Sequence, residues 1–198
     1  ISGDFVECGV YRGLYVSSAI NYLGPDSFVN RKFYLYDTFC GLDSRYSTEN
    51  EMILASYNSD KLEEEVRERF ADYKWVKVVK GVIPDILHEE MPDSIAFLHL
   101  DLNAGLAETK ALDLLYDRIP EGGIILIDDY GRFENSELFF AHKIWFAKHR
   151  QAILDLPTGQ GLVVKSESVS LAVSGQKIDS EGKLLWFSKP THKNYYKN

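Results

Sequence analysis

The chain has little cysteine, no excess of basic residues and no apolar run long enough to span a membrane. Its two cysteines, Cys8 and Cys40, lack metal-ligand spacing, so we expect two reduced thiols in separate loops of a cytoplasmic protein, with a disulfide between them as the alternative. There are 22 Lys and Arg against 30 Asp and Glu, a net charge of -8. This balance argues against a nucleic-acid-binding surface and favours a small-molecule partner.

The sequence does contain enough hydrophobic residues to fill the core of one domain. Hydrophobic residues make up 45% of 198 residues, and nothing in the composition indicates disorder or membrane insertion. We expect one domain over residues 1–165. Residues 166–198 are poorly patterned and form an extension in which the segment GQKIDSEGKLLWF could add a hairpin.

Short apolar runs alternate with segments of helical periodicity along residues 1–165. Five strand and helix units followed by a final pair of strands predict an α/β fold with a doubly wound, largely parallel sheet. The predicted strands lie near residues 5–7, 32–36, 75–79, 94–101, 123–127, 152–156 and 161–165, with helices near 14–23, 59–73, 83–88, 107–116 and 133–150.

Acidic residues end two of the buried runs. SIAFLHLD closes on Asp101, and GGIILIDDYG delivers Asp128 and Asp129. If these strands are neighbours, about 4.8 Å apart, three carboxylates meet at the carboxyl edge of the sheet, where ligands of open α/β sheets bind. Such a cluster of like charges favours a cation, and all-oxygen ligands suit Mg²⁺. The alternative is that the paired acids cap a helix or lie in an acidic loop.

The first strand and its turn, ECGVYRG, distinguish two nucleotide classes. Asp37, after the second strand, could bind a ribose in either a dinucleotide or an S-adenosylmethionine site. The dinucleotide fingerprint needs three glycines, whereas this turn has only Gly9 and Gly13. Glu7 is also unfavourable beside a pyrophosphate but favourable near the ammonium and sulfonium of S-adenosylmethionine. The turn therefore favours S-adenosylmethionine.

Six motifs, in order, resemble the macrocin O-methyltransferase (TylF-type) family of class I methyltransferases. They are GDFVECGVYRG, LYDTFCGL, KGVIPDIL, FLHLDLN, LLYDRIPEGGIILIDDYG and LPTGQGLVVK. The resemblance implies a Rossmann-like, seven-stranded, three-layer αβα fold that uses S-adenosylmethionine and usually magnesium. It also implies a homo-oligomer that methylates a hydroxyl of a sugar or glycosylated natural product.

The resemblance also implies residue roles. The first turn would shape the methionine end of the cofactor site, Asp37 would hold the ribose with Thr38 and Phe39 beside it, and the segment after the third strand would pass the adenine. Asp101, Asp128 and Asp129 would bind the metal, with Asp101 also touching the cofactor and serving catalysis. The implied cofactor residues are Glu7, Gly9, Val10, Tyr11, Gly13, Asp37, Thr38, Phe39, Gly81, Val82, Ile83 and Asp101.

The sequence departs from the family pattern at one position that concerns the catalytic base. Where family members often carry D-x-D, this chain has Asp101-Leu102-Asn103, and an amide cannot accept a proton as a carboxylate does. His99 is a candidate base, although a buried, hydrogen-bonded core histidine is the plainer interpretation. A domain that binds the cofactor without turnover, or a nicotinamide-dependent oxidoreductase, remains the alternative function.

Four further features receive interpretations. We expect His142 at a surface position of the last helix, and Phe139, Phe140 and Trp145 in the core or a subunit contact. Arg132 is either solvated or part of the acceptor site. The segment from Gly41 to Tyr57 is predicted to be a loop at the binding edge that shapes the acceptor site.

Overall fold

The computed structural model describes residues 1–54, 60–131, 136–167, 177–178 and 184–185. Arg132 lies outside the described residues. Within the described part of the chain, no helix is long and apolar enough to cross a membrane.

A seven-stranded mixed sheet in the order β3-β2-β1-β4-β5-β7-β6 forms the centre of the fold. The first five strands are parallel, β7 runs antiparallel to β5, and β6 runs antiparallel to β7. This arrangement confirms the predicted doubly wound α/β sheet. The strands are β1 (Asp4–Cys8), β2 (Phe33–Asp37), β3 (Val76–Lys80), β4 (Ile95–Leu100), β5 (Ile124–Ile127), β6 (Leu154–Asp155) and β7 (Gly161–Val164).

Alternation along the strands gives the sheet two apolar faces, each covered by helices. In β2, Phe33 and Leu35 pack in one cluster, whereas Tyr34 and Tyr36 pack in the other. Helices α1 (Leu14–Leu23) and α3 (Leu62–Arg69) contribute to the first cluster, and α4 (Gly105–Leu115) and α5 (Ser136–Lys148) to the second. The result is a three-layer αβα domain.

Cys8 differs from its predicted place in a loop. It is the last residue of β1 and is fully buried in the sheet, because the strand continues one residue beyond Glu7. Cys40 is exposed, as a loop residue would be, and both thiols are free. Burial raises the pKa of the Cys8 thiol well above its ordinary value.

The segment from Gly41 to Tyr57 is not entirely loop, because it contains helix α2 (Glu49–Leu54). The sequence TENE explains the start of this helix. Thr48 N donates to Glu51 Oε2 at 2.8 Å, and Glu51 N donates to Thr48 Oγ1 at 3.3 Å. These two reciprocal bonds form a capping box, a pattern that can be recognised in the sequence.

The final pair of strands is confirmed, although each strand is shorter than predicted. In the extension after residue 165, β8 (Lys177–Ile178) and β9 (Leu184–Leu185) pair antiparallel, as the proposed hairpin requires. The division of the chain at residue 165 stays a prediction.

Candidate functional site

A pocket opens at the carboxyl ends of β1, β2, β4 and β5. It brings together most of the residues that the sequence singles out, while Glu7, Val10, Gly13, Phe39, Gly81 and His99 lie outside its lining. The predicted site residues that line it are Gly9, Tyr11, Asp37, Thr38, Val82, Ile83, Asp101, Asp128 and Asp129.

The turn after β1 approaches the loop after β4 so closely that only glycine fits at position 9. A Cβ on Gly9 would lie 1.9 Å from the carbonyl oxygen of Asp101, and its φ of 90° is in the left-handed region. Asp101 N in turn donates to Cys8 O at 2.8 Å. The backbone of the first turn is therefore fixed against Asp101.

Asp37 connects the first and second turns. Its Oδ2 accepts hydrogen bonds from Val10 N at 2.7 Å and Tyr11 N at 2.8 Å, while its Oδ1 accepts one from Phe39 N at 2.7 Å. Val10 and Phe39 thus affect the pocket through their backbones, with side chains buried in the core. A carboxylate has about four acceptor positions, which leaves capacity for a ligand hydroxyl.

The acidic ends of β4 and β5 meet as predicted. Leu100 pairs with Ile127 in parallel register, so Asp101 and Asp128 follow neighbouring strand ends. Burial, followed by repulsion from Asp128, raises the pKa of Asp101 to about 9. Asp129 has a φ of 52° and Asn103 a φ of 55°, so both adopt backbone conformations that are uncommon for residues other than glycine.

The carboxylates at this edge have polar neighbours. Asn103 Nδ2 donates to Asp101 Oδ1 at 3.2 Å, and Gln160 Nε2 donates to Asp128 Oδ1 at 2.9 Å. Gln160 lies in the turn before β7, within the motif LPTGQG, and its contact with Asp128 was not predicted. The sequence feature that could have indicated this contact is the position of Gln160, a polar residue between two glycines.

A metal ion can be tested against this donor set. In the described ranges, no group of three His, Cys, Asp or Glu side chains is arranged to hold a metal. However, Asp101, Asp128 and Asp129 all face one pocket, and the mutual repulsion of the carboxylates contributes to the raised pKa of Asp101. Oxygen donors and repulsion of this kind fit a hard divalent cation.

His99 lies behind the pocket with Glu7. Its Nδ1 is 3.1 Å from Glu7 Oε1, its ring stacks on Tyr15 with centroids 4.1 Å apart, and only 3% of the residue is exposed. Burial raises the pKa of Glu7, although the contact with His99 opposes this shift. This is the environment of a buried core histidine, and the catalytic role of His99 stays a prediction.

The predicted surface position of His142 is wrong. The residue is fully buried, and its Nε2 lies 3.0 Å from Oε2 of Glu108, which is buried as well. Glu108 Oε1 accepts a hydrogen bond from Leu102 N at 3.0 Å, immediately after Asp101. This buried pair, which joins α5 to the loop below the pocket, was missed because its two members lie on different helices.

The aromatic set on α5 divides between core and surface. Trp145 is buried and Phe139 packs against the core, whereas Phe140 is 45% exposed. The core interpretation therefore holds for Trp145 and Phe139.

The pocket lining is acidic. Of the described residues that line it, five are aspartates and none is Lys, Arg or His. Four of the five aspartates were predicted, and the fifth is Asp43. It comes from the segment after Gly41, which also contributes Leu42, Tyr46 and Ser47. Such a lining favours a cationic or neutral ligand over a pyrophosphate.

Comparisons with known proteins identify the family and the fold. Residues 1–152 match the macrocin O-methyltransferase (TylF) family. Demethyldecarbamoylnovobiocin O-methyltransferase of Streptomyces niveus is 29% identical over 140 residues, which are 66% of this chain and 53% of the relative.

A second relative comes from Streptomyces olivaceus. This 8-demethyl-8-(2,3-dimethoxy-alpha-L-rhamnosyl)-tetracenomycin-C 4'-O-methyltransferase is 28% identical over 143 residues, 66% of this chain and 54% of the relative. The matched region thus spans about half the length of either relative.

Among solved structures, the O-methyltransferase NovP superposes with a TM-score of 0.71 at 22% identity, covering 84% of this chain and 73% of NovP. The fold is therefore that of Rossmann-like class I methyltransferases.

Proposed function

Because the chain belongs to the macrocin O-methyltransferase (TylF) family, we propose that it transfers a methyl group from S-adenosylmethionine to a hydroxyl of a sugar or glycosylated natural product. One observation carries the proposal. The pocket at the carboxyl ends of β1, β2, β4 and β5 has five aspartates and no basic residue among its described lining, which suits a cationic sulfonium cofactor.

In the proposed complex, the first two turns bind the cofactor. The backbone of Gly9 and that of Tyr11, whose N–H donates to Asp37, face the methionine and ribose portions, and Val82 and Ile83 face the adenine. This assignment is supported by the presence of all five residues in one pocket lining. A nicotinamide dinucleotide fits less well, because its pyrophosphate would meet the aspartates of a described lining that contains no basic side chain.

Methyl transfer is an in-line displacement. When bound, S-adenosylmethionine would supply a methyl group that the acceptor oxygen could take as the carbon–sulfur bond breaks and its electron pair returns to sulfur, while the hydroxyl would lose its proton. The protein's contribution is to orient the acceptor and remove that proton. We assign the proton-accepting role to Asp101 because its carboxyl group lines the pocket beside Asp128. Since its pKa is raised to about 9, this role requires the carboxyl group to be ionised before the acceptor proton is removed.

We propose that Asp101, Asp128 and Asp129 also hold a divalent cation, with Mg²⁺ the best match to oxygen donors. When bound, such an ion supplies Lewis acidity that favours the ionised form of a hydroxyl. The observation that supports this assignment is the repulsion among carboxylates at the ends of β4 and β5.

The experiment that tests the function uses S-adenosylmethionine carrying a trideuterated methyl group, Mg²⁺ and a panel of glycosides. We expect one acceptor to gain a labelled methyl group, as measured by mass spectrometry, and Asp101→Ala to abolish the transfer. Asp72→Ala is the matched control, because Asp72 is an exposed acid outside the pocket. Transfer that is unchanged in Asp101→Ala would contradict the assigned role of Asp101.

Asn103 favours a second candidate, a domain that binds the cofactor without turnover. Its amide lines the pocket and donates to Asp101 but cannot accept a proton. If this candidate is correct, the unaltered protein binds S-adenosylhomocysteine without methylating any acceptor, and Asn103→Asp is the variant in which transfer should first be sought.

We further propose that the protein acts in a reducing cytoplasm, since both cysteines are free and Cys40 is exposed. We also propose a homo-oligomer, for which the exposed Phe140 and Ile144 on α5 are available contacts. Neither nucleic acid nor membrane is a proposed partner.

A further inference from the structure

Glu51 is a buried acid that no part of the proposed reaction uses. Only 4% of the residue is exposed. Its Oε2 accepts a hydrogen bond from Thr48 N at 2.8 Å, and its Oε1 accepts one from Gly105 N at 2.8 Å. Both carboxylate oxygens are therefore satisfied by backbone N–H groups, one that lies 3 residues before Glu51 and one that lies 54 residues after it.

The contact with Gly105 supplies a missing helix cap. Helix α4 begins at Gly105, and its N-cap residue, Ala104, makes no side-chain capping bond. A helix N-terminus has unpaired N–H groups and a partial positive charge, both of which favour a carboxylate. Glu51 supplies this carboxylate from another helix. The residue that it caps, Gly105, comes directly after the pocket-lining residues Asn103 and Ala104.

The same carboxylate fixes the end of a segment that lines the pocket. We call residues 41–48 the strap. Gly41, Leu42, Asp43, Tyr46 and Ser47 of the strap line the pocket, and Thr48 ends it at the capping box with Glu51. One side chain thus connects the strap to the loop that follows Asp101.

The strap is also attached to the opposite wall. Tyr46 Oη donates to Asp85 Oδ1 at 2.6 Å, and Arg45 Nη1 lies 2.8 Å from Asp85 Oδ2. Asp85 follows Val82 and Ile83, which line the pocket on the proposed adenine side. The strap therefore extends from the wall near Asp85 to the start of α4.

We infer that Glu51 is a positioning residue that latches the strap to the N-terminus of α4, so that the cofactor is exchanged only when this latch opens. The second half of the inference rests on the proposed function, because it takes the pocket to be the cofactor site. Exposed ion pairs such as Arg45 with Asp85 contribute little. The buried, charge-assisted bonds of Glu51 are stronger, so they should contribute most of the free energy that keeps the strap attached to α4.

The test measures strap opening and ligand release separately. Arg45 provides a tryptic site within the strap, so cleavage after Arg45 in the ligand-free protein, followed by intact-mass spectrometry, reports opening. Stopped-flow dissociation of S-adenosylhomocysteine reports release. In Glu51→Ala we expect both rates to rise about tenfold or more, since the bonds of a buried charge are lost.

Two controls separate latching from general destabilisation. Glu49→Ala removes an exposed acid from the same helical turn and should change neither rate. Trp145→Phe removes the hydrogen bond from Trp145 Nε1 to Asp113, 2.8 Å long and remote from the strap. It should lower stability without increasing cleavage after Arg45 relative to the other tryptic sites.

Equal cleavage rates in Glu51→Ala and Glu49→Ala would overturn the inference. If Glu51→Ala does not fold, Glu51→Gln is measured in the same way, because its amide keeps one acceptor but directs N–H groups at a backbone donor. If the unaltered protein does not bind S-adenosylhomocysteine, the proposed function fails, while the cleavage rate still decides whether Glu51 latches the strap.

Discussion

Asp37 accepts a hydrogen bond from the backbone N–H of Val10 at 2.7 Å, which ties the end of β2 to the turn after β1. Tyr11 N and Phe39 N donate to the same carboxylate. An acid that the sequence suggests as a ribose ligand, with a capping role as the alternative, is therefore also the structural centre of the first two turns. Its two roles are separable by experiment.

The structural role of Asp37 predicts the effect of Asp37→Asn on stability. The amide group of Asn can replace only one acceptor oxygen, and it turns N–H groups toward Val10 N or Phe39 N. We expect the free energy of unfolding, measured by urea denaturation, to fall by about 1–3 kcal/mol. Asp72→Asn, at an exposed position, should leave it within about 0.5 kcal/mol; equal losses in both variants would contradict this account.

The raised pKa of Asp101 predicts how stability depends on pH without a bound cation. The pKa is about 9 in the folded chain, against an ordinary value of 3.8. An acid with a higher pKa when folded binds its proton more tightly in that state. Its contribution to stability is therefore full below about pH 4 and is lost as the pH rises toward 9.

We therefore expect the free energy of unfolding in EDTA to fall between about pH 5 and 9, and to fall less in Asp101→Asn. Denaturation series at matched ionic strength measure both slopes. The reverse order, with the steeper decline in the variant, would show that Asp101 is not the group that titrates. Saturating Mg²⁺ should flatten the profile of the unaltered protein, because a cation favours the ionised carboxylate.

Asp128→Asn tests the proposed cation site directly. The substitution removes one anionic oxygen at the end of β5 and disturbs the bond from Gln160. We expect calorimetric binding of Mg²⁺ to weaken about tenfold or more, whereas binding of S-adenosylhomocysteine persists. Asp72→Asn should bind Mg²⁺ as the unaltered protein does. Equal Mg²⁺ affinity in Asp128→Asn and the unaltered protein would remove Asp128 from the site.

The buried pair of Glu108 and His142 predicts a non-additive effect. His142→Asn removes the ring nitrogen that lies 3.0 Å from the buried Oε2 of Glu108, so we expect the free energy of unfolding to fall by about 1–3 kcal/mol. Combining it with Glu108→Gln replaces the carboxyl group with an amide, which is less costly to bury, and the double variant should be more stable than His142→Asn alone. A double-mutant cycle measures this coupling. Additive losses would mean that the two side chains do not interact.

The sheet and its acidic edge could be predicted from sequence because they depend on local patterns. Apolar runs ending in Asp101 and Asp128 imply parallel strands with a shared carboxyl edge, and the register of Leu100 with Ile127 confirms it. The same argument places Asp37 at the edge of β2. Strand periodicity and the acids that end each strand are both visible within a few residues.

The features that were missed depend on tertiary contacts. His142 was expected at the surface because nothing near it in sequence reveals Glu108 on α4. The cap that Glu51 provides for Gly105 is equally invisible. The capping box of Thr48 with Glu51, in contrast, is local, and recognising TENE would have predicted α2.

The most direct test of the central claim is calorimetric titration of S-adenosylhomocysteine into the purified protein, repeated with a nicotinamide dinucleotide and with Asp37→Asn. We expect S-adenosylhomocysteine to bind, the dinucleotide to give no binding heat, and Asp37→Asn to bind more weakly while Asp72→Asn binds normally. Binding of the dinucleotide in place of S-adenosylhomocysteine would contradict the account and move the oxidoreductase alternative ahead of methyl transfer.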